Sequence, residues 1–394
     1  MKYIIILGDG MGGYPLKEHF NKTTLELAET PNMDYIARCG SSGLAKTVPD
    51  NLPPGSDVAN LSILSYDPAK YYTGRGPLEA ASIGIDLEKE DIAFRCNLIT
   101  EKDGLLVDYS SGHISNEEAE ILIKEIKDKL ETDTVKFYPG ISYRHLMVLK
   151  KGNVDGLETI PPHDVIGTPI EEVLPSGENQ IKEILVKLIN ESRYFLNKHP
   201  INQKRIKEGK NPANLIWPWS PGKKPEIQTL EEKYNIKGSL ISAVDLIKGI
   251  GICAGLSVID VPGATGLYDT NYEGKADYAL KALQDGSDFV FIHVEAPDEA
   301  GHSRDAALKI KCIEDLDKRL IGRILNNFDG NVMIVCDHFT PIDIGTHVRD
   351  RVPFSIMGPA IKKDECNQYN EKSCSEGEYG KVNAVNLMDI LLNM

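Results

Sequence analysis

The chain is expected to be an α/β protein, with a mostly parallel sheet flanked by helices and an inserted α+β domain. Three observations predict this. Tyr3–Leu7, Phe289–Val294 and Val332–Cys336 are short, unbroken apolar runs, the pattern of parallel strands buried on both faces. Strand–helix alternation is regular near the N-terminus and again from about Gly238 to the end, but between them the texture changes to shorter strands and amphipathic helices. At 394 residues the chain exceeds what one core commonly serves, so two domains are expected.

In chain order, the first strand is followed by a glycine turn, a helix near Thr30–Cys39, a turn at Pro53-Pro54-Gly55 and a second helix from Ser56. Within the insert, strands are expected at Ala93–Ile99 and Tyr143–Lys150. A helix at Asn116–Leu130 is expected to bury Ile121, Leu122, Ile126 and Leu130, with Ser115 and Glu118 forming a capping box. A second amphipathic helix spans about 179–197. Residues 198–225 read as basic and loop-rich, with Trp217 and Trp219 as packing residues and Lys223-Lys224 available to close a cleft. The polar stretch 362–381 reads as a mobile loop without a role. These boundaries give a metal-binding core at 1–74 plus 236–394 and a substrate-binding insert at 75–235, with hinges near Gly74–Pro77 and between Lys224 and Lys237.

Composition narrows the function. A net charge of −15 argues against nucleic-acid or anionic-membrane partners, but not against a small phosphorylated substrate. No apolar run approaches the roughly 20 residues of a membrane span, and a strand begins within a few residues of Met1 without a signal peptide. Seven scattered cysteines without a C-x-x-C pair suit reduced thiols and a cytoplasmic location. Cys39, Cys96, Cys253, Cys312 and Cys336 read as core residues, while Cys366 and Cys374 receive no role. Oligomeric state is not readable.

The chemistry concentrates where the apolar runs end. Asp9 follows the first, Asp298 and His302 the second, and Asp337 and His338 the third, with His347 shortly after. Sites in open α/β sheets form outside the carboxyl ends of strands, so these residues are expected to converge. Gly8-Asp9-Gly10-Met11-Gly12-Gly13 formally matches a dinucleotide turn, but Asp9 would repel a pyrophosphate, and a cation fits better. Asp298 and His302, at i and i+4, share one side of a helical turn. Mixed carboxylate and imidazole donors suit Mn²⁺, Zn²⁺ or Fe²⁺ better than Ca²⁺. Their number exceeds the need of one structural ion, which favours a two-metal site. Ser56, after the rigid turn and at a helix start, is either a simple N-cap or a nucleophile aimed at phosphorus.

The Asp9 turn, the segment Pro53-Pro54-Gly55-Ser56-Asp57-Val58-Ala59-Asn60, Asp298-x-x-x-His302, and Asp337-His338 followed by His347 resemble the alkaline phosphatase superfamily. More narrowly, the chain resembles the short, archaeal-type cofactor-independent phosphoglycerate mutases, including their bacterial branch of proposed homoserine kinases. The resemblance spans nearly the whole chain in motif order. It implies an alkaline-phosphatase-like core and two divalent ions, manganese first, with zinc or magnesium as alternatives. One ion would be held by Asp9, Ser56, Asp337 and His338, the other by Asp298, His302 and His347. It further implies a phosphoserine at Ser56, Lys248 near the transferred phosphate, His113 as a substrate contact, and Arg75, Arg95 and Arg144 as phosphate or carboxylate anchors. The expected reaction is interconversion of 3- and 2-phosphoglycerate without 2,3-bisphosphoglycerate. The alternatives are transfer from ATP to homoserine, for which Asp108 would meet the ammonium, and a non-catalytic binding module.

Overall fold

The computed structural model describes residues 1–392 and divides into two compact units, one of Met1–Tyr72 with the described chain from Glu226 onward, the other of Thr73–Pro225. The chain returns to the first unit at Glu226 rather than near 236. The reason lies in the helix Leu230–Tyr234, which is tied to the first unit: the Leu230 N–H donates to Ala254 O (2.9 Å), and Tyr234 Oη donates to Asp389 Oδ1 (2.9 Å).

An eight-stranded sheet organises the first unit, in the order Ser257–Val258, Gly238–Ile241, Phe289–Val294, Tyr3–Gly8, Asn331–Val335, Val352–Met357, Ser41–Lys46 and Gly380–Asn383. It is mostly parallel; only Val352–Met357 runs antiparallel to its neighbours. The apolar runs form the centre, where Ile4, Ile5, Ile6, Val290, Phe291, Ile292, Val332, Met333 and Ile334 are all fully buried. Register matters most for function. Leu7 stands opposite both His293 and Val335 in its two parallel neighbours, so three strands end at one level. Chain leaving Gly8, Val294 and Val335 therefore emerges at one edge.

Residues 362–381 differ from the expected mobile loop. Cys366, Tyr369 and Cys374 are buried, Tyr369 Oη donates to Pro353 O (2.9 Å), and Asp364 Oδ2 accepts from the Ser42 N–H (2.8 Å) and the Glu378 N–H (2.9 Å). Its polar side chains satisfy buried backbone donors, a use that composition cannot distinguish from solvation.

The second unit is built on a five-stranded antiparallel sheet centred on Ile92–Lys102. The helix Asn116–Leu130 packs there through Ala119, Leu122, Ile123, Ile126 and Leu130. Ile121 is instead 53% exposed, because the buried stripe follows the 119–122–126–130 spacing and Ile123 takes the flank. Ser115 Oγ accepts from the Glu118 N–H (3.3 Å). Residues 198–225 are more ordered than expected, with a helix at Pro200–Lys207 and a strand at Leu215–Gly222. That strand pairs with Ile92–Lys102 alone, which leaves an open side for the missing donors of Pro218 and Pro221.

Candidate metal and phosphoryl-transfer site

At the shared sheet edge, two turns lock together. The Gly10 N–H donates to Asp337 Oδ1 (3.0 Å) and the Gly12 N–H to Cys336 Sγ (3.4 Å). Gly10 has a φ of +60°. A methyl group there would lie 2.4 Å from Asp298 Oδ1, so only glycine fits both the conformation and the space. Asp298 and His302 stand one turn apart on the helix Ala296–His302. Ser56 is the first residue of the helix Ser56–Ile63, with Gly55 at the cap position and no side-chain cap bond. Its hydroxyl faces the cluster instead, 3.1 Å from His338 Nε2 and 3.4 Å from Asp9 Oδ2. Asn60 Nδ2 ties this helix to Asp337 Oδ2 (3.3 Å).

The strand-end residues converge. His338 Nε2 is 3.4 Å from Asp9 Oδ1 and 3.4 Å from Asp337 Oδ2. His302 Nε2 lies 3.1 Å from Asp298 Oδ2 and 2.9 Å from His347 Nε2, which is itself 3.4 Å from Asp298 Oδ1. The His338 and His347 rings stack at 3.8 Å, so His338 borders both groups. Two donor sets each fall within 4.8 Å: Asp298 with His338 and His347, and Asp9 with His293 and Asp337. The first set places His338 with the Asp298 group, whereas its contacts to Asp9, Ser56 and Asp337 place it with the other.

His293 does not stand out in the sequence, where it is one letter inside an apolar run. Its Nε2 is 2.9 Å from Asp9 Oδ2, and its Nδ1 is 3.3 Å from Ser242 Oγ. Ser242 Oγ also accepts from the Val244 N–H (3.0 Å); against Asp9 as a carboxylate, which can only accept, His293 donates from Nε2 and keeps Nδ1 as the acceptor. In that tautomer His293 orients a ligand rather than serving as one. Burial pushes this imidazole down to about 3, keeping it neutral. Thr340, also unforeseen, donates from Oγ1 to Asp298 Oδ1.

Electrostatics favour a cation. Burial, followed by the charges of Asp337, Asp298 and Glu295, holds the Asp9 carboxyl well above its ordinary range. Asp9 Oδ1 is buried without a hydrogen-bond partner, and Asp9, Asp298 and Asp337 are 1%, 4% and 0% exposed. Burial also raises Asp298, but hydrogen bonds from His302 and His347 outweigh it and leave the carboxyl well below the usual value. The Asp298 hydrogen bond in turn lifts His302 to about 9. Buried carboxylates this close repel one another unless positive charge stands between them, and an orphaned oxygen is a free ligand atom. The donor set fits divalent metal ions.

The remaining sequence candidates are carried by other elements. Lys248, on the helix Asp245–Cys253, pairs with Asp260 (2.8 Å) outside the cluster. In the second unit, Arg95 stacks on Trp219 (4.5 Å) and pairs with Glu79 (3.1 Å). Burial and the neighbouring charges lower its guanidinium despite Glu79, with Arg75 and Arg144 among those that lower it, so these three arginines form one basic group. Arg144 lies over the Tyr143 ring (6.0 Å), and His113 meets the same ring at 5.9 Å. His163, another unforeseen residue, packs on Trp219 (5.5 Å). Asp108 is not free to meet an ammonium: it accepts from Ser110 N and Oγ, Gly112 N and Asn211 Nδ2. Lys223 and Lys224 pair with Glu90 and Asp86 within their own unit.

A mostly parallel sheet with carboxylates and imidazoles at the carboxyl ends of its strands, and a serine hydroxyl aimed into them, is the arrangement expected of a metal-assisted phosphotransferase. A family model described as 2,3-bisphosphoglycerate-independent phosphoglycerate mutase matches residues 37–202. A protein of that name from Methanosarcina acetivorans is 51% identical over 100% of both chains. Among solved structures, a Pyrococcus horikoshii protein is 33% identical with a TM-score of 0.85, covering 100% of this chain and 96% of that one. The cofactor-independent phosphoglycerate mutase of Thermoplasma acidophilum is 28% identical with a TM-score of 0.69, over 100% and 99% of the two chains. The chain belongs to the 2,3-bisphosphoglycerate-independent phosphoglycerate mutase family.

Proposed function

We propose that this chain interconverts 3-phosphoglycerate and 2-phosphoglycerate without 2,3-bisphosphoglycerate, carrying the phosphoryl group on Ser56. The observation that carries the reading is the Ser56 hydroxyl at a helix start, 3.1 Å from His338 Nε2 and 3.4 Å from Asp9 Oδ2. Two divalent ions fit, one with Asp9, Ser56, Asp337 and His338 and one with Asp298, His302 and His347, with manganese the best match to mixed oxygen and nitrogen donors. Such ions supply charge neutralisation for the phosphoryl oxygens and a lowered pKa for the serine hydroxyl.

The protein's own part is positional. Ser56 Oγ gives up its proton and bonds to phosphorus, and the glycerate oxygen leaves and takes up a proton to become a hydroxyl. The glycerate turns, its other hydroxyl gives up its proton and takes the phosphoryl group back, and the Ser56–phosphorus bond breaks as Ser56 Oγ regains a proton. The N-terminal end of the helix Ser56–Ile63, the positive end of its dipole, is offered to the added negative charge. Arg75, Arg95, Arg144 and His113 are the proposed anchors for the glycerate carboxylate and hydroxyl, because an arginine fork binds a carboxylate bidentately. Lys248, paired with Asp260, is proposed to exchange that partner for phosphate. A cytoplasmic location fits the seven cysteines, none of which forms a disulfide, and no helix among the described residues is long and apolar enough to cross a membrane.

The test is a pair of assays on one preparation with manganese. Nucleotide-free conversion of 3-phosphoglycerate supports the mutase. Phosphohomoserine formed from ATP and homoserine, without mutase turnover, overturns it in favour of the kinase reading.

A further inference from the structure

The turn presenting Asp9 and the turn presenting Asp337 and His338 are far apart in sequence, and one buried ammonium joins them. Lys309, on the helix Ala306–Asp315, is 0% exposed. Its Nζ donates to Gly12 O (3.0 Å) and to Thr340 O (2.8 Å). Gly12 lies just past Asp9, and Thr340 just past Asp337 and His338. Thr340 Oγ1 continues the path to Asp298 Oδ1. Glu371 braces the glycine turn from the same interior: its Oε1 accepts from the Gly13 N–H (3.0 Å) and its Oε2 from Thr23 Oγ1 (2.7 Å). Burying an ammonium is costly even when it is hydrogen-bonded, and a well-packed apolar side chain often costs less. A lysine that grips two carbonyls here therefore makes more sense as a device for holding them in place than as packing.

We propose that Lys309 is a positioning residue that fixes the spacing of the three strand-end carboxylates and so sets the affinity for divalent cations, without contacting cation or substrate. This rests on the cation reading above. Loss of a group that orients ligands typically costs 10–100-fold in metal affinity, and a similar loss is expected here.

The experiment is manganese titration of the chelator-stripped full chain, by calorimetry and by electron paramagnetic resonance, for wild type and Lys309→Met. The proposal expects affinity about 10–100-fold weaker in the variant. It also expects kcat to recover at high manganese, with KM for phosphoglycerate unchanged. Wild-type affinity in Lys309→Met, accompanied only by a lower unfolding temperature, makes the lysine merely structural and overturns the proposal. Where Lys309→Met does not fold, Lys309→Gln, which keeps a donor on a shorter stem, is measured in the same way. Intermediate weakening is expected, and wild-type affinity overturns the proposal. A wild-type chain that binds no manganese removes the cation reading and this proposal together. Binding by wild type and variant alike removes this proposal alone.

Discussion

Replacing Gly10 with alanine imposes two separable costs. The first is conformational: a φ of +60° is left-handed backbone, which costs an L-residue roughly 1–2 kcal/mol. The second is steric. The new methyl carbon would lie 2.4 Å from Asp298 Oδ1, 2.7 Å from Thr340 Oγ1 and 2.8 Å from Asp298 Cα. Restoring ordinary contact distances of about 3.5 Å moves the Asp298 carboxylate or the Asp9 turn by on the order of 1 Å. Misplacement of that size at a reacting centre costs about 10²-fold. Gly10→Ala should therefore lower kcat/KM by about 100-fold while destabilising the fold by roughly 1–3 kcal/mol. Gly104→Ala is the control: it has a φ of +80°, and its methyl group would meet nothing within 4 Å. It should show the conformational cost alone, with kcat/KM within about twofold of wild type. Steady-state kinetics with urea unfolding of both variants decides. Near-normal activity in Gly10→Ala, or equal activity losses in the two, would show that close packing of Gly10 on Asp298 does not set the geometry of the site.

Chelation should abolish activity, and His347→Ala and Asp298→Ala should each retain the fold while losing one metal equivalent by elemental analysis; full occupancy in both would count against the assigned ligands. Arg144→Ala should lower kcat/KM by about 10–100-fold, from the roughly 1.5–3 kcal/mol of a charged hydrogen bond, with far-UV circular dichroism unchanged. His145, in the second unit, supplies a pH test. Burial lowers it from 6.5 to about 3, so the unfolded chain takes up its proton first. Its stabilising contribution is complete above pH 6.5 and is lost as pH falls toward 3, with a slope of up to about 1.4 kcal/mol per pH unit. Urea unfolding between pH 7 and 4.5 should show a shallower pH dependence in His145→Gln than in wild type.

The sheet centre is legible in the sequence because a short, unbroken apolar run fits a strand buried on both faces. A carboxylate placed directly after such a run marks the strand's end. Asp9, Asp298 and Asp337 stand out for that reason, and parallel register brings their strand ends to one level. Residues whose partners are tertiary are not legible. His293 looks like one more letter of a buried strand, and only its 2.9 Å approach to Asp9 Oδ2 distinguishes it. Lys309 sits in a helix with other charges, where a lysine ordinarily means solvent. Glu371 lies in a polar stretch whose side chains face inward to hold backbone. Ile121 is misplaced by the sequence pattern because helical spacing permits two neighbouring stripes, and packing selects the one containing Ile123.

Passage of the phosphoryl group through Ser56 can be tested directly. Its most direct measurement is peptide mass spectrometry after a short, acid-quenched incubation of the manganese-loaded chain with 3-phosphoglycerate. Phosphate on Ser56 is predicted, with none in Ser56→Ala and turnover there slower by several orders of magnitude. Undiminished turnover in Ser56→Ala, or steady turnover with Ser56 never modified, would contradict the account.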